Sequence, residues 1–270
     1  MTRSYRDIFG IKHDRRVEGL QALAEFYQSE AVVRTYEDTR FGSSGGKLKH
    51  LLDVDIVLAM AEPETQCVLD LAAGTGRISR ALHAVHSSGV DRFRQIISAD
   101  YSWGMLQEAR ELAQQEGHSL TLVNADAFHL PYPSASFDAV ISLRFIRHLY
   151  PQARSELYQA IWRVLKPGGL LISDVCNYAK HRDDIATRGV YDELYTREQF
   201  VNEMATHDFQ VEQFFGSLYF TARLLQLKRL GLPEDFLIDL ARALESHIRH
   251  VPFLLAKAYL WIAKCRKPIE

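Results

Sequence analysis

Cysteine is scarce in this 270-residue chain, and its three copies, Cys67, Cys176 and Cys265, stand far apart. An odd count at such spacing offers neither a disulfide framework nor a metal-ligand pattern, and predicts reduced thiols in a reducing compartment with no bound metal. Long apolar runs are missing too. The most apolar late stretch, residues 251–263, carries Lys257 and is shorter than the about 20 apolar residues that a membrane span needs. The opening MTRSYRDIFGIKHDRR has no apolar core of the signal-peptide kind. Neither sign of charge dominates, since 32 Lys and Arg against 34 Asp and Glu give a formal net charge of −2. No run of Lys or Arg is long enough to mark a nucleic-acid footprint. These absences predict a cytoplasmic protein with no stable membrane insertion and no nucleic-acid partner. What is present is ordinary: 47% of the residues are apolar, enough to fill the core of one large α/β domain, or of a domain with a helical accessory.

The chain is organised around residues 67–79, CVLDLAAGTGRIS. Val68, Leu69 and Leu71 make a short apolar run that suits a buried strand. Asp70 lies near its end, and the small residues Ala72, Ala73, Gly74, Thr75 and Gly76 follow at once. Small side chains let the backbone turn sharply and let a ligand lie against it. Residues 77–85 read as a helix, so the loop joins a strand's carboxyl end to a helix N-terminus, where open α/β sheets bind ligands. Two further acids follow the same plan. QIISAD (95–100) is a second strand ending in Asp100, and SLTLVNAD (119–126) a third ending in Asp126. A carboxylate after the second strand suits a ribose diol, whose two hydroxyls both donate to it. That much also fits a nicotinamide cofactor, but a dinucleotide fingerprint would place Gly or Ala at position 79, and this chain has Ser79.

Four stretches, LDLAAGTGR (69–77), SADYSWGML (98–106), NADAFHLPYPSASFDAVIS (124–142) and LKPGGLLISD (165–174), occur in an order that resembles the class I S-adenosylmethionine-dependent methyltransferases, especially their type 11 small-molecule branch. Ala72 departs from the family, which usually has glycine there. The resemblance implies an α/β, Rossmann-like, seven-stranded and mostly parallel sheet with helices on both faces, the seventh strand inserted antiparallel, and helical additions at both ends. It divides the chain into an N-terminal helical lid segment (1–62) and a methyltransferase domain (63–270) with a helical insertion at about 217–252. It implies S-adenosylmethionine as cofactor, with the ribose on Asp100, the adenine amine on Asp126 beside the Ala127 backbone, and Tyr101 and Met105 as walls. The methionine end would lie on Asp70, Ala72, Gly74 and Gly76, with Leu143 nearby. Tyr36 and Arg40 stand at the spacing at which the family contacts that end from an N-terminal segment, and an arginine fork grips a carboxylate through two hydrogen bonds.

Elsewhere the sequence predicts a loose lead over residues 1–13, helices over 14–27 and 30–38, and a Gly/Ser-rich stretch, 39–47, that is either a plain flexible loop or a lid. A helix over 48–59 follows it. Helices are predicted over 103–115 and 151–165, strands over 137–143, 170–175, 209–215 and 258–264, and a capping box at Thr196 and Gln199. The insertion holds helical segments near 221–230 and 233–250. Its apolar residues pack on the sheet edge, or else form a lid or dimer contact, with Phe214, Phe215, Tyr219 and Phe220 as an apolar wall.

The acceptor side is expected just past the fourth strand. If residues 142–150 are helical, Arg144, Arg147 and His148 share a face. They then form either a solvated basic turn, or two arginines that hold an acidic or phenolic acceptor while His148 acts as general base. His129 and Tyr132 are further acceptor-side candidates. No Asn/Asp-Pro-Pro-Tyr follows that strand, and no Pro-Cys loop appears, which argues against base-methylating DNA enzymes. Three functions remain open at this point: methyl transfer to a small metabolite or natural-product intermediate, a catalytically silent protein of the same fold, and a nicotinamide-dependent oxidoreductase.

Overall fold

The computed structural model describes residues 19–183, 190–219 and 221–269. The expected lead over 1–13, Val17 of the first expected helix, and Phe220 lie outside them. Strands β1 (Cys67–Leu71), β2 (Gln95–Asp100), β3 (Thr121–Asn124), β4 (Phe137–Ser142) and β5 (Leu165–Asn177) are mutually parallel. The two-residue β6 (Leu194–Tyr195) adds to the end of β5. Among the described residues, β7 (Gln210–Ser217) pairs only with β8 (Leu260–Arg266), which lies antiparallel between it and β5. The order β3-β2-β1-β4-β5-β8-β7 is the mostly parallel sheet that the motifs imply.

Both faces of the sheet are covered, which is why β1 and β4 carry buried apolar residues on both of their sides. Leu69, Leu71, Val140 and Leu171 face one core, with Leu157, Ile161 and Val164 of helix α6 (Pro151–Val164). Their neighbours Val68, Ala139, Ile141 and Ile172 face the opposite core. That second core takes Ile56 and Val57 from α3 (Ser44–Met60) and Ile78 and Leu82 from α4 (Arg77–Ser87). Two shorter helices, α1 (Leu20–Gln28) and α2 (Glu30–Phe41), precede α3. α5 (Trp103–Gln115) starts at Ser102, whose hydroxyl accepts the Met105 N–H at 3.3 Å. After the four-residue α7 (Tyr178–His181), α8 (Arg197–Ala205) begins with the expected capping box, Thr196 and Gln199 bonding reciprocally.

Several boundaries differ from expectation, each for a local reason. β3 stops at Asn124, so Asp126 lies in the loop beyond it. Lys166-Pro167-Gly168-Gly169 is a bulge inside β5, between the pairs Phe137–Leu165 and Ala139–Leu170. The Gly/Ser-rich stretch is mostly helix: Ser43 caps α3 by accepting the Gly46 N–H at 3.1 Å, and Ser44, Gly45 and Gly46 are buried. A Cβ on Gly46 would stand 2.7 Å from Phe41 Cα and collide with the Arg40 carbonyl. The glycine therefore permits α2 and α3 to pack closely and does not serve as a hinge. The insertion holds a 3-10 helix over Thr221–Leu230, α9 (Glu234–Ile248) and the short α10 (Pro252–Leu255). Leu225, Leu237 and Ile238 pack on Leu48 and Leu52 of α3. Phe214, Phe215 and Tyr219 are buried in the cores.

Candidate active site

The chain leaves β1 through residues 72–76 with three positive φ angles: 56° at Ala72, 56° at Gly74 and 68° at Gly76. The reasons differ. A Cβ on Gly76 would press on Leu120 Cδ1 at 3.0 Å and Ala109 Cβ at 3.1 Å, so that glycine serves packing. A Cβ on Gly74 would meet nothing within 4 Å, because that face of the loop is open. Ala72 holds a side chain in the left-handed region, at a cost of about 1–2 kcal/mol.

The loop is tied down by two of the predicted acids. Asp70 is 4% exposed and its Oδ2 accepts the Ser79 N–H at 3.1 Å and the Ser79 hydroxyl at 2.7 Å. Ser79 in turn accepts the Ser98 hydroxyl at 2.7 Å, so the serine where a dinucleotide fold would need Gly or Ala is an anchor for β1 and β2. Burial lifts the Asp70 carboxyl to about 6 against the pull of those hydrogen bonds. Asp100 spans the crevice. Its Oδ2 accepts the Gly74 N–H at 2.7 Å and its Oδ1 the Ser102 N–H at 2.8 Å. Burial raises this carboxyl too, against the backbone N–H groups of Ser102, Gly74 and Tyr101. On the far side of the loop, Thr75 donates its hydroxyl to Glu37 of α2.

Above the carboxyl ends of β1, β2 and β4 and the loop after β3 lies a cavity of about 520 Å³, walled on one side by α1. All but two of the residues expected to hold the cofactor line it: Tyr36, Asp70, Ala72, Gly74, Asp100, Tyr101, Met105, Asp126, Ala127 and Leu143. Gly76 lies behind the loop, and Arg40 is not in the lining, its guanidinium standing 5.9 Å from the Tyr36 ring centre. Sequence reasoning missed the share of α1, which contributes Leu20, Leu23 and Tyr27. The sequence predicts a helix there but not what that helix covers.

It also missed a buried charge cluster at the β1–α3 side. Arg77 lines the cavity and donates to Asp53 Oδ2 at 2.9 Å; Lys49 donates to the same oxygen at 2.9 Å. Burial opposes the Asp53 charge, but Lys49 and Arg77 outweigh it and hold the carboxyl at about 2. Burial brings Lys49 down to about 8, with Asp53 opposing. His50, 3.2 Å from Arg77 through its Nδ1, is held at about 3 by burial and by that guanidinium, and stays neutral.

On the acceptor side the three basic residues do not share a face. Residues Ile146–His148 form a 3-10 turn, and Arg144 precedes it with φ 63°. Arg144 lines the cavity, whereas Arg147 and His148 do not. Arg147 reaches Asp174 at 3.4 Å and Asp192 at 3.3 Å. The His148 Nδ1 faces the Tyr191 carbonyl at 2.7 Å and Asp192 at 3.0 Å. The expected role of His148 as base is therefore not matched by its position. Neither His129 nor Tyr132 lines the cavity. His129 is exposed and 2.9 Å from Asp126; the Tyr132 ring packs edge-on to Phe137, and burial raises its hydroxyl to about 12.

S-adenosylmethionine fits these residues on one direct observation: the Cβ-free face of Gly74 opens beside the Asp100 carboxylate, leaving room for a ribose with its diol on an acid. Comparison with known proteins agrees. The methyltransferase domain family matches residues 68–169. A ubiquinone/menaquinone biosynthesis C-methyltransferase of Pseudomonas fluorescens is 32% identical over 190 residues, covering 68% of each chain. A demethylmenaquinone methyltransferase of Clavibacter sepedonicus is 37% identical over 168 residues, 62% of each. Among solved structures, the [4+2]-cyclase SpnF has a TM-score of 0.64 at 19% identity, covering 95% of this chain and 98% of that one. The magnesium protoporphyrin IX methyltransferase of Synechocystis PCC 6803 with bound cofactor has a TM-score of 0.59 at 16% identity, covering 92% and 96%. At those identities the structures speak for the fold, and it is the sequence relatives that place this chain in the class I S-adenosylmethionine-dependent methyltransferase family.

Proposed function

We propose that the chain transfers the methyl group of S-adenosylmethionine to a small organic acceptor that enters the cavity from the β4 side. One observation carries the reading: the open face of the 72–76 loop and the Asp100 carboxylate meet in one cavity at the carboxyl ends of the strands. Asp100 takes the ribose hydroxyls, Asp126 and the Ala127 backbone the adenine, with Tyr101 and Met105 as its walls. The loop takes the methionine end. When bound, the cofactor supplies an electrophilic methyl group on a sulfonium leaving group. The protein's share is placement: α1 shields the cavity from water while Leu143 and Arg144 border the acceptor end. Alignment of this kind supplies about 7–11 kcal/mol of a barrier, more than the roughly 10²–10⁴-fold of a general base. No step here needs His148.

Calorimetric titration tests the assignment. S-adenosylhomocysteine binds the wild type and NADH does not. Hydrogen bonds to a charged group are worth about 1.5–3 kcal/mol each, so Asp100→Ala weakens binding by at least about tenfold while melting cooperatively. Unchanged affinity would remove Asp100 from the site. Incubation with methyl-labelled cofactor and fractionated metabolite extracts then reads turnover.

A further inference from the structure

We propose that the methyl acceptor is an acid with an apolar body, and that Arg144 holds its carboxylate; this rests on the methyltransferase reading above. Arg144 differs from its basic neighbours. Lys49 and Arg77 share Asp53, and Arg147 reaches Asp174 and Asp192. The Arg144 guanidinium lies over the Phe41 ring at 4.6 Å, its Nε is buried with no hydrogen-bond partner, and among the described residues no carboxylate forms an ion pair with it. Arg144 is partly exposed at the cavity, and Tyr36, Asp53 and Asp174 favour its charge without accepting a hydrogen bond from its guanidinium, so that charged fork is open to an anion in the cavity.

The backbone indicates that this placement is built in. Arg144 has φ 63°, a conformation that costs a side-chain-bearing residue, and the turn is fixed by its own N–H donating to Asp174 Oδ1 at 2.6 Å. Asp174, 4% exposed on β5, holds the Arg144 backbone through Oδ1 while its Oδ2 faces Arg147, so neither oxygen pairs with the Arg144 guanidinium. Such strain persists where the fold must aim a side chain.

Position in the sheet favours the acceptor as the source of the anion. In the sheet order, Asp126, Asp100 and the 72–76 loop follow β3, β2 and β1 in turn, and Arg144 follows β4, one strand further. The Arg144 guanidinium shares the Phe41 ring with Arg77, at 4.6 and 5.0 Å from its centre, so it borders the loop as well, and the cofactor's own carboxylate is the competing anion. Leu143 and Phe145 flank Arg144 in the chain, and Leu23 and Tyr27 line the same cavity. Those surfaces suit an apolar body, and the planar guanidinium fork suits a carboxylate.

The test uses the full chain saturated with S-adenosylhomocysteine and a panel of aryl and alkyl carboxylic acids, each paired with its primary amide, read by ligand line broadening in NMR. The acids bind the wild type in roughly tenfold excess over their amides. In Arg144→Gln that preference disappears while affinity for S-adenosylhomocysteine holds within about twofold, and Arg144→Lys restores part of it. Equal binding of acids and amides to the wild type, or a preference that survives Arg144→Gln, overturns the proposal. So does a tenfold loss of S-adenosylhomocysteine affinity in Arg144→Gln, which would make the anion the cofactor's own. Failure of the wild type to bind S-adenosylhomocysteine at all would instead overturn the methyltransferase reading.

Discussion

Replacing Asp53 with asparagine tests the electrostatics beside the site most directly. Asp53 is 2% exposed, and its carboxylate is the acid that Lys49 and Arg77 share, each at 2.9 Å. Its pKa of about 2 against an ordinary value of 3.8 corresponds to roughly 2 kcal/mol of stability. Because this carboxyl is depressed, that contribution is present above pH 4 or so and is lost as pH falls through about 2. The substitution does more than remove it, since two buried cations then lack a counter-charge. Breaking a buried pair from one side costs about 3–5 kcal/mol, or about 10 °C in Tm for a chain of this size. The two cations respond differently. Arg77 keeps its proton, while Lys49, already at about 8, loses its proton near neutrality once Asp53 is gone. Deprotonating Lys49 is less costly at high pH, so the gap between wild type and Asp53→Asn narrows from pH 6 to pH 9. Urea unfolding at both pH values, with Lys49→Met/Asp53→Asn beside the single variant, measures this. A loss under about 1 kcal/mol at pH 6, or a gap that widens with pH, would refute the reasoning.

Other outcomes follow from local geometry. Ala72→Gly relieves a left-handed alanine and raises stability by up to about 1 kcal/mol after the entropy of the added glycine; a fall in Tm would show that the loop is not strained. Arg154→Met strands Glu203 and Glu193, which it binds at 2.9 Å each from a 3% exposed position, and costs about 3–5 kcal/mol in urea unfolding. His148→Ala leaves S-adenosylhomocysteine affinity unchanged and lowers Tm by a few degrees, because its ring holds the Tyr191 carbonyl and Asp192. A hundredfold loss of turnover at unchanged Tm would return it to the role of base.

The first loop was legible because its meaning is local: apolar run, small residues and helix follow one another within residues 67–79, and the Thr196 and Gln199 capping box opens α8 where the sequence placed it. What failed to show depended on distant partners. Gly45 and Gly46 read as loop because each glycine costs a helix about 1 kcal/mol, yet close approach of α2 to α3 overrides that preference. The shared face of Arg144, Arg147 and His148 assumed a helical repeat, which the positive φ of Arg144 and the 3-10 turn remove. Lys49 and Asp53 are visibly four apart, but their burial under Arg77 follows from how α3 packs on α4, and spacing alone does not report it.

The placement of β8 sets the order in which this sheet can be completed. β5 and β7 are separated by a strand-wide gap until residues 260–266 have been synthesised, and β7 has no partner on either side before then. A nascent chain halted earlier presents the open edge of the long β5 and both edges of β7 to any other extended segment nearby. Closing that gap joins residues some fifty to ninety positions apart, with Gln210 pairing to Arg266 and Cys176 to Leu260, so it is a slow, late step in folding. Chains shortened before β8 are therefore expected to aggregate through β5 even with the whole ligand-binding half of the sheet intact.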